Sequence, residues 1–286
     1  KVEGALREYL VNIHAKMVTI AGSSTILDAY FVRYIIMNLK LVLKGKALGK
    51  TYEELLPKIN LRAEELVGRR DLVVKALVAK DLDEAVASLA GSEFGEDAAK
   101  AVAAYKEKRD VRLFDTYLDH AFYHALDRAL ATDAQSQDVK KLVSTDIDSY
   151  NVLSVLRGKF WGLSQQDITD LIVTTTPKVT QESLQKMINT EKPSEAIGEL
   201  NSTVYRDIVP QNPANDIDAI MQLEAGFESV GYKRIISSFR AVFTVAIMLS
   251  AIKLMTIEVK NLAAIAAGVE QNVPVERIMS QLAGVE

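Results

Sequence analysis

His120 and His124 stand four residues apart, so one face of a helix presents both. With Asp119 or Asp127 beside them they are the sequence's nearest approach to a metal site. A metal needs a further ligand, and no His-Glu-x-x-His pattern supplies it. His14 is the one other histidine, so the pair reads as ordinary helix surface or interface and no metal is expected. Three histidines among many serines and acids also give no Ser–His–Asp spacing above chance. Gly45-Lys46 and Gly158-Lys159 share two letters with a phosphate loop. They lack the upstream glycine and the following Ser or Thr, for Ala47 and Phe160 stand there. Neither a nucleotide nor any other cofactor is expected. Cys is absent, which excludes zinc fingers, iron–sulfur clusters, disulfides and thiol nucleophiles. What remains are cations at two helix ends: Lys44 and Lys46 around Gly45, and Arg157 and Lys159 around Gly158. They either offset the negative end of the helix dipole in solvent or touch an acidic or carbonyl-rich surface of a partner protein. Trp161, beside the second end, is a packing anchor and joins these four as a partner-contact candidate.

The elements that hold these residues are helical. Hydrophobic residues make up 49% and charged residues 25% of the 286, which excludes a disordered or collagen-like chain. The formal charge of −4 disfavours nucleic acid as a partner. Only 6 Pro and 14 Gly interrupt long apolar periodicities, and no stretch alternates at period two for long enough to need a sheet. Residues 6–43 read as helix broken near Gly22-Ser23-Ser24, with Gly45 as the left-handed cap. Thr51 with Glu54, and Ser164 with Asp167, mark the starts of short helices. Further short helices are expected at 61–66, 72–78, 83–89, 184–188 and 194–200. Residues 97–130 form the longest unbroken helical pattern, and 142–156 resume it up to Gly158. Residues 133–139 read as a loop or helix start, 174–177 as a turn, and 209–215 as a linker. Residues 216–266 are helical again with an interruption near Gly231, and Pro274 opens a last helix to Leu282. The most apolar run, 241–252, is too short for the roughly 20 residues of a membrane span. Lys1 opens inside an amphipathic pattern, without the basic start and apolar core of a signal peptide.

An internal repeat organises these helices. Asn38-Leu39 leads to Gly45, Asn151-Val152 to Gly158, and Asn261-Leu262 to Gly268, each glycine seven residues after its asparagine. The asparagines are 113 and 110 residues apart. A short acidic helix follows each: Thr51-Tyr52-Glu53-Glu54, Ser164-Gln165-Gln166-Asp167 and Pro274-Val275-Glu276. A second signature, Glu84-Ala85 through Leu89 with Phe94, returns 111 residues later as Glu195-Ala196 through Leu200 with Tyr205. Asparagine in a helix interior is unfavourable, so the three asparagines are read as buried amides that fix inter-helix register, or else as partner contacts. Asp148 and Glu258, each three residues before an asparagine, are expected to pair with basic neighbours. The repeat gives three units: 1–80, taken as incomplete at its start, 81–190 and 191–286. An all-α body of three similar helical repeats follows, closing into a funnel-like, pseudo-three-fold shape. Two other functions fit the composition: a helical adaptor or scaffold, and a helical enzyme without a recognisable motif.

The run from Asn151 to Ser164, Asn-Val-Leu-Ser-Val-Leu-Arg-Gly-Lys-Phe-Trp-Gly-Leu-Ser, resembles the signature of the C subunit of archaeal-type (A/V-type) ATP synthases, the relative of the d subunit of vacuolar ATPases. Asp148, Glu258 and the stretches Leu89–Phe94 and Leu200–Tyr205 fit as well. The first repeat departs by carrying Ile35 where the others have an acid, and the third by Ala267 and Val269 where the second has Arg157 and Lys159. The resemblance implies a non-catalytic socket at the cytoplasmic face of a membrane. It would sit on the proteolipid rotor ring, receive the foot of the central stalk, and couple rotation to ion transport without spanning the membrane itself.

Overall fold

The computed structural model describes residues 2–22, 24–66, 68–132, 137–173, 178–240, 244–280 and 282–284. Among them the secondary structure is helical throughout, with no strand. The fifteen α-helices are α1 Val2–Ala21, α2 Thr25–Ala47, α3 Tyr52–Leu55, α4 Leu61–Glu65, α5 Arg70–Val78, α6 Leu82–Ala87, α7 Gly95–Lys108, α8 Leu113–Thr132, α9 Gln137–Phe160, α10 Gln165–Asp170, α11 Gln181–Asn189, α12 Pro193–Gly198, α13 Asp216–Ser238, α14 Val245–Glu270 and α15 Val275–Met279. No helix is long and apolar enough to cross a membrane among the described residues. The turn expected at 174–177, most of the loop expected from 133, and the start of the apolar run at 241–243 lie outside the described residues.

The chain divides into two compact units, Ser23–Asp133 and Lys1–Gly22 with Ala134–Glu286. In the first unit α8 packs back along α2, with α7 on α8 and the short helices α5 and α6 on α2. Its core gathers Phe31, Ile35, Leu39 and Leu43 of α2 with Phe94, Phe114 and Leu118, all out of contact with water. In the second unit α13 packs along α9 with α11 and α12 beside them, and α1 packs along α14. The α1 seam is pinned by His14, fully buried, whose Nε2–H donates to the carbonyl of Ile252 at 3.1 Å. Lys253 joins α14 to Asp146 of α9 by an ion pair.

Several sequence expectations change. The pattern over 97–130 is two helices, because Arg109 turns left-handed (φ 56°) after α7 and Asp110 starts a new turn by accepting from the Arg112 N–H at 2.9 Å. Gly231 does not interrupt α13, which runs on to Ser238; a glycine within a helix weakens it without breaking it. Gly45 and Gly158 are not left-handed caps either. They lie inside α2 and α9, and the left-handed positions come four residues later at Gly49 (φ 71°), Gly162 (φ 66°) and Asn272 (φ 54°). The capping boxes at Thr51/Glu54 and Ser164/Asp167 form as the spacing predicts.

Candidate functional site: a helix clamp made three times

Each long helix of the repeat ends in one device. The carboxamide of Asn151 is fully buried; its Nδ2 donates to the Val173 carbonyl at 2.7 Å and its Oδ1 accepts from the Val173 N–H at 2.9 Å. Asn38 holds Asn60 the same way, at 3.1 Å for both bonds. Asn261 holds Ala283 at 2.9 and 3.0 Å. The clamped residue lies 22 positions after the asparagine in all three cases. An amide carries both a donor and an acceptor, so it satisfies both groups of one peptide unit that no helix or sheet ladder reaches. This is the register role expected of the asparagines, with the partner now identified.

The glycine serves the same junction. A Cβ on Gly158 would stand 2.7 Å from Ile168 Cγ1, and one on Gly268 would stand 2.6 Å from Ile278. On Gly45 it would collide with Leu55. The short helix after each turn therefore lies directly on the glycine, ten residues on. The carbonyls of Gly45, Gly158 and Gly268 each take the N–H five residues on, from Lys50, Leu163 and Val273, at 2.9, 2.9 and 2.8 Å. Glycine is required here for close approach, not for backbone freedom.

The cations around these glycines have internal partners. Lys44 pairs with Asp115 of α8, and Arg157 with Glu224 of α13 at 2.7 Å. Lys46 donates to the Ala79 carbonyl just past α5. Lys159 donates to the carbonyls of Ile188 (2.8 Å) and Thr190 at the end of α11. Lys46 and Lys159 thus neutralise the carbonyl end of a neighbouring helix. Burial holds the Lys159 ammonium below the usual lysine range. Trp161 is half-buried in the turn after α9, its backbone N–H bonded to the Arg157 carbonyl at 2.9 Å.

Asp148 is fully buried one turn before the clamp, and it does not pair with a basic side chain as the sequence suggested. It accepts from the backbone N–H groups of Lys178 and Val179, both at 3.2 Å, and from the Tyr205 hydroxyl at 2.6 Å. Burial pushes its carboxyl above the usual carboxylate range and the Tyr205 hydroxyl above the usual phenol range. In the first repeat Ile35 and Phe94 occupy the two corresponding positions, both fully buried. A polar pair has been exchanged as a unit for an apolar pair, which leaves no buried group unsatisfied in either repeat. That joint exchange was visible in the sequence, at offsets of 113 and 111 residues. Glu258, the third counterpart, is exposed.

The remaining candidates stay apart from any chemistry. His120 Nδ1 bonds Asp97 at 2.8 Å and stacks on His124, with ring centroids 5.7 Å apart. Burial lowers the His124 pKa. No group of three ligands that could hold a metal occurs among the described residues. A cavity of about 970 Å³ lies beside α13 and α14, lined by Met221, Glu228, Ile236, Lys260 and Leu282 among others. Its Glu228 and Lys260 are paired with each other. Asp218, also on its wall, is held below the usual carboxylate range by the Ala214 N–H that it accepts at the start of α13.

Buried amides, carboxylate and cations all act on the protein's own helices, which defines the class: a helical structural subunit built from a repeated clamp. The model of the ATP synthase (C/AC39) subunit family matches residues 1–281. Curated relatives, each named as the C subunit of an A-type ATP synthase, agree. That of Methanocaldococcus jannaschii is 25% identical over 98% of this chain and 71% of its own length. That of Methanococcoides burtonii is 25% identical over 98% and 77%, and that of a Desulfurococcus species is 27% identical over 99% and 75%. The chain belongs to the ATP synthase (C/AC39) subunit family. It is a non-catalytic component of an A/V-type ATP synthase.

Proposed function

We propose that the chain acts as the socket of the rotor, gripping the foot of the central stalk on one side and the membrane proteolipid ring on the other, at the cytoplasmic face. The observation that carries this reading is the clamp made three times, on α2, α9 and α14. Three like helix ends, each locked by two buried hydrogen bonds and a glycine contact, supply the stiffness a torque-bearing coupler needs. Arranged about a pseudo-three-fold axis they would form a funnel whose interior admits a helical stalk. The sequence limits at 80 and 190 mark where one repeat passes to the next, and each lobe is centred on its clamp helix.

Lys44, Lys46, Arg157, Lys159 and Trp161 are proposed to lie at partner contacts through the parts of their side chains that internal bonds leave uncovered. Arg157 is the best placed, since 39% of its side chain is exposed although it is paired with Glu224. The test is reconstitution with purified stalk and ring subunits. Binding of both supports the socket, and binding of neither overturns it. Arg157→Ala is expected to weaken assembly with helix content unchanged by circular dichroism. Assembly of the variant at wild-type strength would remove Arg157 from the interface.

A further inference from the structure

One stripe of side chains runs along each clamp helix at spacings of four, three and four residues, which is a single helix face. On α9 it is Asp148, Val152, Val155 and Lys159; on α2 it is Ile35, Leu39, Val42 and Lys46. The first three residues of both stripes are buried, and each lysine reaches the carbonyl end of a short helix. That helix is α11 on α9 and α5 on α2. At the other end of the α9 stripe, Asp148 accepts the N–H groups of Lys178 and Val179, just ahead of α11. The counterpart on α14 is Glu258, Leu262, Ile265 and Val269. All four are exposed, with Leu262 at 42%, Ile265 at 37% and Val269 at 65% where the matching apolar residues of α2 and α9 are at 0%.

We propose that the bare stripe of α14 is the seat of an amphipathic helix from outside these 286 residues, of the kind that α5 and α11 present to α2 and α9. Its chemistry is specified by the stripe. Its N-terminal end lies at Glu258, whose carboxylate faces backbone N–H groups and the positive end of the helix dipole, as Asp148 does before α11. Its middle carries apolar residues at helical spacing against Leu262 and Ile265, as Leu184, Met187 and Ile188 of α11 do in the second repeat. Its C-terminal end passes Val269, which has no ammonium, so that end finds its cation or solvent elsewhere. The half-buried Asn261 clamp becomes fully buried under it, as Asn38 and Asn151 are.

The test attaches such a helix to the intact chain. A second copy of residues 178–205 is fused ahead of Lys1 through a flexible linker, which raises its local concentration to the millimolar range. The control fusion carries Leu184→Asp, Met187→Asp and Ile188→Asp in the added copy only. Amide hydrogen exchange over 258–270 is expected to slow by about tenfold in the fusion. The control should show no slowing, nor should the fusion with Leu262→Asp and Ile265→Asp in α14. Those two positions are exposed, and circular dichroism checks that the variant folds. Equal exchange in fusion and control overturns the proposal. So does sedimentation showing that the unfused chain is a dimer which Leu262→Asp with Ile265→Asp turns into a monomer, because the stripe would then serve a second copy.

Discussion

Replacing Asn151 by Leu removes the clamp of the second repeat while keeping size and burial. The Val173 N–H and carbonyl lose their partners at 2.9 and 2.7 Å, in a place where both Asn151 and Val173 are shut off from water. A buried polar group without a partner costs about 1–3 kcal/mol, and two of them give about 2–5 kcal/mol. Leucine returns about 0.5 kcal/mol as a better helix former than asparagine. The same change at Asn261 removes bonds of 2.9 and 3.0 Å, but Asn261 and Ala283 are only half-buried, so water replaces the lost partners. Asn261→Leu is therefore expected to cost about 1 kcal/mol or less. Urea unfolding followed by circular dichroism measures each loss, and hydrogen exchange at Val173 and Ala283 locates it. Because the chain has two compact units, the local exchange is the decisive reading. Equal losses for the two variants, or no change in exchange at Val173, would refute the assignment of the asparagines as buried register clamps.

Gly158→Ala places a methyl 2.7 Å from Ile168 and is expected to cost about 1–3 kcal/mol. Adding Ile168→Ala should recover part of that loss, so the pair will depart from additivity in chemical denaturation. Lys159→Met frees the carbonyl end of α11 and is expected to cost about 1–2 kcal/mol, with faster amide exchange confined to α11 and its flank. Burial raises the Asp148 pKa in the folded state, so folding is favoured when this carboxyl is protonated. Stability from this group should fall as pH rises from the ordinary aspartate value through the raised folded value, and Asp148→Asn should flatten that part of the curve. An unchanged slope in Asp148→Asn would mean another group sets it.

The joint reading of asparagine, glycine and acidic N-cap was legible in the sequence because each is tied to a local rule. Asparagine is out of place in a helix interior, and Thr51 with Glu54 spells a capping box. What the asparagines hold was not legible, because a residue 22 positions away is reached only when the turn and the short helix have been placed. The glycines show the same limit. Their position at a helix end suggests a left-handed cap, yet Leu55, Ile168 and Ile278 press on them from elements that sequence pattern cannot position. Likewise the cations Lys46 and Lys159 sit at the ends of their own helices, but the carbonyls they neutralise belong to α5 and α11.

By itself the sequence determined that the chain is helical, that it carries one unit three times, and which family it belongs to. These follow from periodicity and from signatures that recur at a fixed offset, and both survive without a third dimension. Only the tertiary structure decided which side chain meets which. It set Tyr205 rather than a cation on Asp148, joined α1 to α14 through His14, and left Glu258, Leu262, Ile265 and Val269 in water. The physical reason is that burial is a property of what lies across from a helix face. Two stripes of the same pattern differ only in whether another helix covers them.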